Sequence, residues 1–321
     1  MKICVIIPAY NASATIDATI QSVLDQTHLA DEILVVDDGS TDDTFARLSA
    51  YGSKIKVFRQ PNQGVACARN FLCRKATGDL VAFLDADDVW HPDYLKAQHE
   101  LLSLHSNAAG SFTGFLDSNQ FTKKSWSLLN PDLLPVVEVM DSVQFFERHN
   151  RSPSQFPPST FCLSTSILNQ MGNEPFPVKF RCAEDFWFMN LIPLFGKPVV
   201  YNPLPLVMYR LSPGSLSMDR VKIMELTVRL CEILSQRYQA EASPELLGSF
   251  RKVFPSTRRN FSKYLMGAGR YSEARDQIKA SIKGTRSLKS IVKSIGLLIV
   301  SYFPSGLQPK WPRPLRHQNY Q

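Results

Sequence analysis

Residues 79–93, DLVAFLDADDVWHPD, are the stretch around which the rest of the chain is arranged. Their first half, Leu80–Leu84, is short and wholly apolar, which is typical of a strand buried on both faces. Three carboxylates follow directly: Asp85, Asp87 and Asp88. Clustered carboxylates repel one another unless a cation lies between them, and hard cations such as Mg²⁺ or Mn²⁺ prefer oxygen ligands. Because open α/β sheets bind ligands at the carboxyl ends of their strands, this position favours a metal–phosphate site.

The composition indicates an ordinary globular chain. With 321 residues and 44% apolar content, it is long enough for one large or two ordinary domains with a real core. Its six Cys form no C-x-x-C pair and do not group with His as metal ligands, so free thiols in a reducing compartment are the simplest explanation. The first apolar run is too short for a signal-peptide core, and no run reaches the roughly eighteen apolar residues of a spanning helix. We therefore expect a cytoplasmic protein.

The first part of the chain alternates strands with helices. The predicted strands are Ile3–Ile7, which Pro8 ends, then Glu32–Val36, Ile55–Phe58 and Leu80–Leu84. One helix is predicted over Gly64–Ala76, and another has apolar residues at helical spacing from Ile16 onwards. The predicted helix caps are Ser13 and a capping box, Ser40-x-x-Asp43. If the acidic cluster is only a turn, Asp88 would cap the helix that starts near Pro92. This alternation implies crossovers and a mainly parallel sheet.

Three of these strands end in polar segments, PAYN, DDGS and DADD, which would lie along one edge of the sheet. Neither G-x-G-x-x-G nor G-x-x-x-x-G-K-[ST] is present, so a dinucleotide fold and a P-loop are poorly supported. The ring of Tyr10 can stack on a base, and a carboxylate after the second strand can accept a hydrogen bond from a base N–H or a ribose hydroxyl. The guanidinium of Arg69 can reach a phosphate. Taken singly, each has a simpler explanation: Tyr10 as a half-buried core aromatic, the carboxylate as part of a turn, and Arg69 as a member of a surface ion pair. Together they favour a nucleoside-diphosphate site.

Residues 3–93 carry four motifs in order: ICVIIPAYNAS, EILVVDDGSTDDT, NQGVACARN and TGDLVAFLDADDVWHPDYL. They resemble the nucleotide-binding half of a family-2 inverting glycosyltransferase. The resemblance implies a single Rossmann-like α/β domain of the nucleotide-diphospho-sugar transferase type, with a mixed, mostly parallel sheet and a bound Mg²⁺ or Mn²⁺. The roles it implies are the base and ribose pocket for Pro8, Tyr10 and Asp38, the pyrophosphate for Arg69, the sugar nucleotide for Asp85 and the metal ion for Asp87.

A second acidic segment, AEDFWF, lies at Ala183–Phe188 and opens an apolar helix. Sugar transfer needs a carboxylate that takes the acceptor's hydroxyl proton, and the resemblance assigns this general base to Asp185. An acidic pair stabilised by the helix dipole is the alternative. Two segments depart from the family pattern: residues 171–176, MGNEPF, replace a glycine-rich GGFDE-like segment, and Ser212 stands where a histidine often follows Tyr-Arg. The absence of a Q-x-x-R-W segment favours transfer of one sugar over polymerisation.

Residues 216–321 are predicted as a basic helical region that follows a catalytic domain over residues 1–215. From Asp219 onwards the chain carries a net charge of +12, from 19 Lys or Arg and 7 Asp or Glu, whereas the rest carries −5. Helices are predicted over Val221–Tyr238, Phe261–Gly267 and Tyr271–Ile282. Within residues 285–303, apolar residues share one helical face and Arg286, Lys289 and Lys293 occupy the opposite one. This helix suits an anionic membrane surface, or packs its apolar face on the catalytic domain; no nucleic-acid-binding module is present.

The resemblance therefore predicts a metal-dependent enzyme that transfers one sugar, with inversion, from a nucleotide-sugar donor to an acceptor hydroxyl. The expected donor is a UDP-sugar, and the expected acceptor is a glycan or a lipid-linked molecule. The expected setting is glycan, polysaccharide or glycolipid biosynthesis, in the cytoplasm or on the cytoplasmic face of the membrane. Two alternatives stay open. The first is a nucleotidyltransferase, which would need a first loop rich in Gly, Arg and Lys, and PAYNAS is not such a loop. The second is an inactive relative that acts as a membrane-associated scaffold.

Overall fold

The computed structural model describes residues 1–118, 137–151, 156–180, 182–210, 219–303 and 309–312. The chain divides into two compact units, Met1–Pro213 and Gly214–Gln321. The domain boundary predicted at residue 215 falls within residues 211–218, which lie outside the described ranges.

The first unit is built on a mixed β-sheet. Its described strands are β1 (Ile3–Ala9), β2 (Glu32–Asp37), β3 (Lys56–Arg59), β4 (Leu80–Phe83), β5 (Val89–Trp90), β6 (Gly110–Asp117), β7 (Glu138–Met140), β8 (Phe161–Ser164) and β9 (Val199–Tyr209). Their order is β3-β2-β1-β4-β8-β6-β9-β5, and β7 pairs with β9 beside this path. Strands β3, β2, β1 and β4 are parallel neighbours, as are β6 and β9, whereas β8, β5 and β7 run against their neighbours. The prediction of a mixed, mostly parallel sheet is confirmed.

Helices connect and cover these strands. In the described part of the first unit they are α1 (Ile16–Leu24), α2 (Thr44–Ser49), α3 (Val65–Lys75), α4 (Tyr94–Leu104), α5 (Ser142–Arg151), α6 (Thr165–Gln170) and α7 (Glu184–Leu191). Strands β1 and β4 form the centre of the core, because residues 3–7 and 80–84 are all at most 2% exposed. Helix α1 contributes Ile16, Ile20 and Val23 to the same apolar cluster. Burying each such side chain is worth about 1.5–3 kcal/mol, which explains why two continuous apolar runs form the central strands.

Pro8 lies inside β1 and does not end it. The strand continues to Ala9, and both residues are in register with β2. On the other side, pairing with β4 stops at Ile6 and Phe83. The backbone N–H and C=O groups of the even-numbered residues of β1 point toward β4. This follows because the carbonyls of Lys2 and Ile6 accept hydrogen bonds from amides on the β4 side, at 3.0 and 3.1 Å. Pro8 has no N–H to donate, and it falls just beyond the last paired residue on that side, so the strand tolerates it.

Two predicted helix caps are wrong. Thr15, and not Ser13, occupies the N-cap position of α1, and Asp43 occupies that of α2, in both cases without a side-chain capping bond. Ser40 Oγ instead accepts a hydrogen bond from the Asn11 amide at 2.9 Å. The Ser13 amide likewise donates across to the second loop, to a carboxylate at 3.1 Å. The two serines predicted as caps, Ser40 through its side chain and Ser13 through its backbone amide, therefore join the loops that follow β1 and β2.

The second unit is helical in its described part. Its helices are α8 (Arg220–Glu241), α9 (Pro244–Gly267), α10 (Tyr271–Lys283) and α11 (Leu288–Val300). The short helix predicted over residues 261–267 is only the end of α9, which continues through Pro255. Ser243 caps the start of α9, where its hydroxyl accepts from the Leu246 amide at 3.2 Å. Across the described ranges, every helix is too short or too polar to cross a membrane.

Candidate functional site

Three strand ends meet at one edge of the sheet. Strands β1 and β2 stay in register up to Ala9 and Asp37, and β1 and β4 up to Ile6 and Phe83. The polar segments PAYN, DDGS and DADD follow these positions and therefore lie side by side, as the sequence predicts. Tyr10 is 49% exposed at this edge, so its ring is accessible to a ligand.

Asp38 holds the loop that leads from β3 into α3. Its Oδ1 accepts from Gln60 Nε2 at 2.7 Å and from the Gln63 amide at 3.0 Å, and its Oδ2 accepts from the Gly64 amide at 2.8 Å. The adjacent Gly39 has φ +74°, and a Cβ there would lie 2.7 Å from a backbone nitrogen of the same loop, so only glycine fits. A carboxylate offers about four acceptor positions. Asp38 therefore retains about one for a ligand.

Arg69 is a buried bridge between two carboxylates. It is 3% exposed; Nη2 donates to Asp85 Oδ1 at 2.5 Å, and Nη1 donates to Glu184 Oε1 at 2.7 Å. The guanidinium thus ties the DADD turn after β4 to the start of α7. The residue lies at the predicted site, but two of its donors hold carboxylates, a contact that the sequence did not predict.

We expect Arg69→Met to lower the free energy of unfolding by about 3–5 kcal/mol, because it leaves the buried Glu184 without its partner. The matched control is Arg74→Met on the same helix, since Arg74 is exposed and donates a single bond, to the Asn173 carbonyl at 3.1 Å. The control should change stability by about 0.5 kcal/mol or less. Urea unfolding measures both variants, and equal losses in the two would contradict the bridge.

Asp88 is a structural carboxylate. It is fully buried; Oδ2 accepts from Ser159 Oγ at 2.5 Å, and Oδ1 accepts from the Arg210 amide at 2.9 Å. Burial, and then the charges of the two neighbouring aspartates, raise the pKa of Asp88 well above its usual range. The N-cap position of α4 belongs to Asp93, so the interpretation of Asp88 as a helix cap is wrong.

The acidic pair Glu184–Asp185 opens α7. The residue before it, Ala183, has a left-handed φ of 64°, which costs an alanine roughly 1–2 kcal/mol. The Phe186 amide donates to Asp185 Oδ1 at 2.7 Å. Burial raises the pKa of Glu184 to about 7 and also raises the pKa of Asp185, while Arg69 opposes both shifts. A carboxylate whose pKa is raised in this way is better suited to accept a proton near neutral pH.

Tyr209, at the end of β9, is a member of this site that sequence reasoning missed. Burial raises its pKa, and further contributions come from the charges of four carboxylates: Asp88, Asp85, Asp87 and Asp185. Its ring packs against Phe115 at 5.7 Å between centroids. The Tyr-Arg pair was the available signal, but the sequence analysis considered only Ser212, which stands where a histidine often follows that pair and lies outside the described residues.

Asp87, like Asp85, is a half-buried member of the DADD turn. Among the residues that the structure describes, no three His, Cys, Asp or Glu side chains are arranged to hold a metal ion by themselves. This donor set nevertheless fits Mg²⁺ or Mn²⁺, which commonly bind one or two carboxylates and complete their shell with substrate phosphates. Both oxygens of Asp88 already accept hydrogen bonds, and one oxygen of Asp85 binds Arg69. The assignment of the metal ion to Asp87 comes from the family resemblance and stays a prediction.

Sequence comparison places these motifs in a known family. The Glycosyl transferase family 2 profile matches residues 4–165, just over half of the chain. The chain is 42% identical over 102 residues to the Escherichia coli protein named UDP-Glc:alpha-D-GlcNAc-diphosphoundecaprenol beta-1,3-glucosyltransferase WfgD, in an alignment that covers 31% of this chain and 40% of WfgD. Alignments with four other curated relatives cover between 20% and 46% of their length. The chain thus spans less than half of these relatives.

Comparison with solved structures gives the same fold. S. aureus TarS 1-349 in complex with UDP-GlcNAc matches with a TM-score of 0.70 at 18% identity, over 94% of this chain and 90% of that one. Mannosyltransferase PcManGT from Pyrobaculum calidifontis, in complex with GDP-Man and Mn²⁺, matches with a TM-score of 0.56 at 18% identity, over 94% and 81%. Such low identities show the fold alone. The profile match, which covers just over half of the chain and includes the strand-end motifs, shows that this chain belongs to glycosyl transferase family 2.

Proposed function

We propose that this protein is an inverting glycosyltransferase that moves one sugar from a nucleotide-sugar donor to an acceptor hydroxyl. The observation that carries the proposal is the Arg69 bridge, which ties the acidic turn after β4 to the acidic start of α7. A single displacement needs the donor's reacting carbon and the base for the acceptor to be held within one site. The bridge joins the two segments that supply these functions.

The base and ribose of the donor would lie over the ends of β1 and β2. The exposed ring of Tyr10 can stack on the base, with the half-buried Pro8 beside it. The remaining acceptor position of Asp38 suffices for a base N–H or a ribose hydroxyl. UDP-Glc in the name of WfgD and UDP-GlcNAc in the TarS structure support a UDP-sugar as the donor.

The diphosphate and the sugar would lie at the DADD turn. Asp85 would contact the sugar nucleotide through Oδ2, the oxygen that Arg69 does not bind. Asp87 would hold Mg²⁺ or Mn²⁺, and the Mn²⁺ of the PcManGT structure supports this assignment. When bound, such an ion neutralises charge on the departing diphosphate.

Asp185 would act as the general base. It takes the proton of the acceptor hydroxyl while that oxygen forms a bond to the anomeric carbon from the face opposite the diphosphate. The bond from the anomeric carbon to the phosphate oxygen breaks, its electron pair leaves with the nucleoside diphosphate, and the configuration inverts once. Glu184 stays paired with Arg69, so the two neighbouring carboxyl groups have different roles: one receives the proton, and the other positions the helix.

The acceptor would be a glycan or a lipid-linked molecule, and the reaction would belong to glycan or polysaccharide biosynthesis in the cytoplasm. The diphosphoundecaprenol-linked acceptor in the name of WfgD supports a lipid-linked acceptor.

The proposal is tested by incubating the protein with UDP-, GDP- and dTDP-sugars, Mg²⁺ or Mn²⁺, and glycan or lipid-linked acceptors. We expect nucleoside diphosphate to be released mainly from UDP-sugars, and the new glycosidic bond to have the opposite anomeric configuration to the donor by NMR. Absence of release from every donor would favour the inactive scaffold. Pyrophosphate release from a nucleoside triphosphate would favour a nucleotidyltransferase.

A further inference from the structure

Helix α11 packs through small polar side chains. Ser294 is fully buried, and its Oγ lies 2.8 Å from Ser281 Oγ of α10. Arg259 of α9 donates to Ser290 Oγ at 2.7 Å, and Ser301, just after the helix, is 3% exposed. The side of α11 that contacts α9 and α10 therefore combines these serines with Leu297, which is partly buried against the apolar cluster of the second unit.

The large apolar side chains of α11 and the turn after it lie on a different face. Those that are 44–75% exposed are Leu288, Val292, Ile295, Ile299, Tyr302 and Phe303. They are six of the thirteen exposed large apolar side chains among the described residues, within one short segment of the chain. An ordinary surface helix turns its apolar stripe inward, whereas this stripe is exposed.

Basic side chains border this apolar face. Lys289 and Lys293 directly follow Leu288 and Val292, so at about 100° per residue they lie between the exposed stripe and the packed side that is opposite to it, and not on the opposite face itself as the sequence pattern predicts. Both lysines and Arg286 are exposed. From residue 277 to the end, the sequence contains eight Lys or Arg and no Asp or Glu.

Charge decides between two partners for this face. The spacing of Leu288, Val292, Ile295 and Ile299 also suits a coiled-coil seam between two copies of the chain. Two such helices would, however, bring lysines together with no acidic residue on either helix to pair with them. A surface that is apolar inside and negatively charged outside matches both the stripe and its basic border, and this is the chemistry of an anionic lipid leaflet.

We propose that the exposed face of α11 docks on an anionic bilayer. The apolar side chains enter the boundary between headgroups and acyl chains, and the basic side chains reach the headgroups. Arg286, Lys289 and Lys293 together strengthen binding about 100-fold at modest salt. Docking of this kind is independent of the sugar-transfer chemistry, and it would concentrate the protein beside lipid-linked molecules.

The test is co-sedimentation of the full chain with vesicles of equal parts phosphatidylglycerol and phosphatidylcholine. We expect binding that weakens as salt is raised and that is lost on pure phosphatidylcholine. The triple variant Arg286→Glu, Lys289→Glu, Lys293→Glu should bind about 100-fold more weakly or worse. The control with the same net charge, Lys222→Glu, Arg251→Glu, Lys252→Glu, alters exposed residues of α8 and α9 and should retain most of the binding.

The apolar part is tested with Val292→Ser and Ile299→Ser combined. Both side chains are exposed, so the variant should keep the wild-type circular dichroism and still bind vesicles more weakly. Three results would overturn the proposal: no vesicle binding at any salt, an equal loss in the charge-matched control, or a dimer in analytical ultracentrifugation that the two serines dissociate. The last result would make a second copy of the chain the partner.

Discussion

Asp185→Asn should lower the turnover number by about 10²–10⁴-fold, the usual contribution of general acid–base catalysis. The amide cannot take the acceptor's proton, yet it keeps the size of the side chain and an oxygen for the Phe186 amide, which now donates to Asp185 at 2.7 Å. Affinity for the nucleotide sugar should be nearly unchanged. Because burial raises the pKa of Asp185, the wild-type rate should rise as pH increases through that pKa, and this rise should be missing from the variant.

Steady-state kinetics and calorimetric donor binding measure these quantities. The matched control is Asp17→Asn, which changes a carboxylate in the first turn of a different helix, α1, where it is paired with Arg47 at 2.5 Å on the surface. Its turnover should equal that of the wild type. If Asp185→Asn lost donor affinity but kept full turnover at saturation, Asp185 would belong to the donor site and the base would be unidentified.

Asp87→Asn should reduce turnover by about 10²-fold or more. Metal-ion catalysis is worth several kcal/mol, and each 1.4 kcal/mol corresponds to about a factor of ten. The fold should persist, because a half-buried carboxylate at a strand end contributes little to packing and its removal relieves repulsion within the acidic turn. Turnover at increasing Mg²⁺ or Mn²⁺ concentration, with circular dichroism of each sample, measures both effects.

Asp79→Asn is the control for this variant, since Asp79 is exposed at the opposite end of β4, where its carboxylate accepts from the Lys2 amide at 2.7 Å. It should keep wild-type turnover and metal dependence. Near-normal turnover in Asp87→Asn would remove Asp87 as the metal ligand.

The central strands could be predicted from the sequence because their signal is local. Residues 3–7 and 80–84 are continuous apolar runs, and burial on both faces gives them a strand pattern that no surface helix shows. The caps failed for the opposite reason. Ser40 has the residue type and spacing of a cap, but its hydroxyl binds the Asn11 amide, which lies 29 positions away in the chain. A prediction from local residue type and spacing does not take into account a hydrogen-bond partner that is distant in the sequence.

The candidate site was likewise only partly predictable from the sequence. The strand-end segments follow from the alternation of strands and helices, so Tyr10, Asp38 and the DADD turn could be placed together. The Arg69 bridge could not, because Glu184 is 115 positions away and reaches the site only when α7 packs against the end of β4. Tyr209 was missed for a related reason, since only the pairing of β5 with β9 brings the end of β9 to the acidic turn.

Helix α11 illustrates a further limit of sequence patterns. The periodicity over residues 285–303 correctly predicts an amphipathic helix, but it does not tell which face is packed. The packing side proved to be a row of serines interrupted by Leu297: the serine hydroxyls bond to α9 and α10, and Leu297 packs against the apolar cluster of the second unit. The hydrogen-bond partners of those serines come from other helices and are invisible in the pattern.

The central claim is that the ends of β1, β2 and β4 bind a nucleoside diphosphate together with a metal ion. Calorimetric titration of UDP into the wild-type chain with Mn²⁺ tests this without requiring knowledge of the acceptor. Saturable binding is expected, it should weaken strongly when EDTA removes the metal, and UMP should bind more weakly because it lacks the second phosphate. Absence of saturable binding for UDP, GDP and dTDP with either Mn²⁺ or Mg²⁺ would contradict the claim.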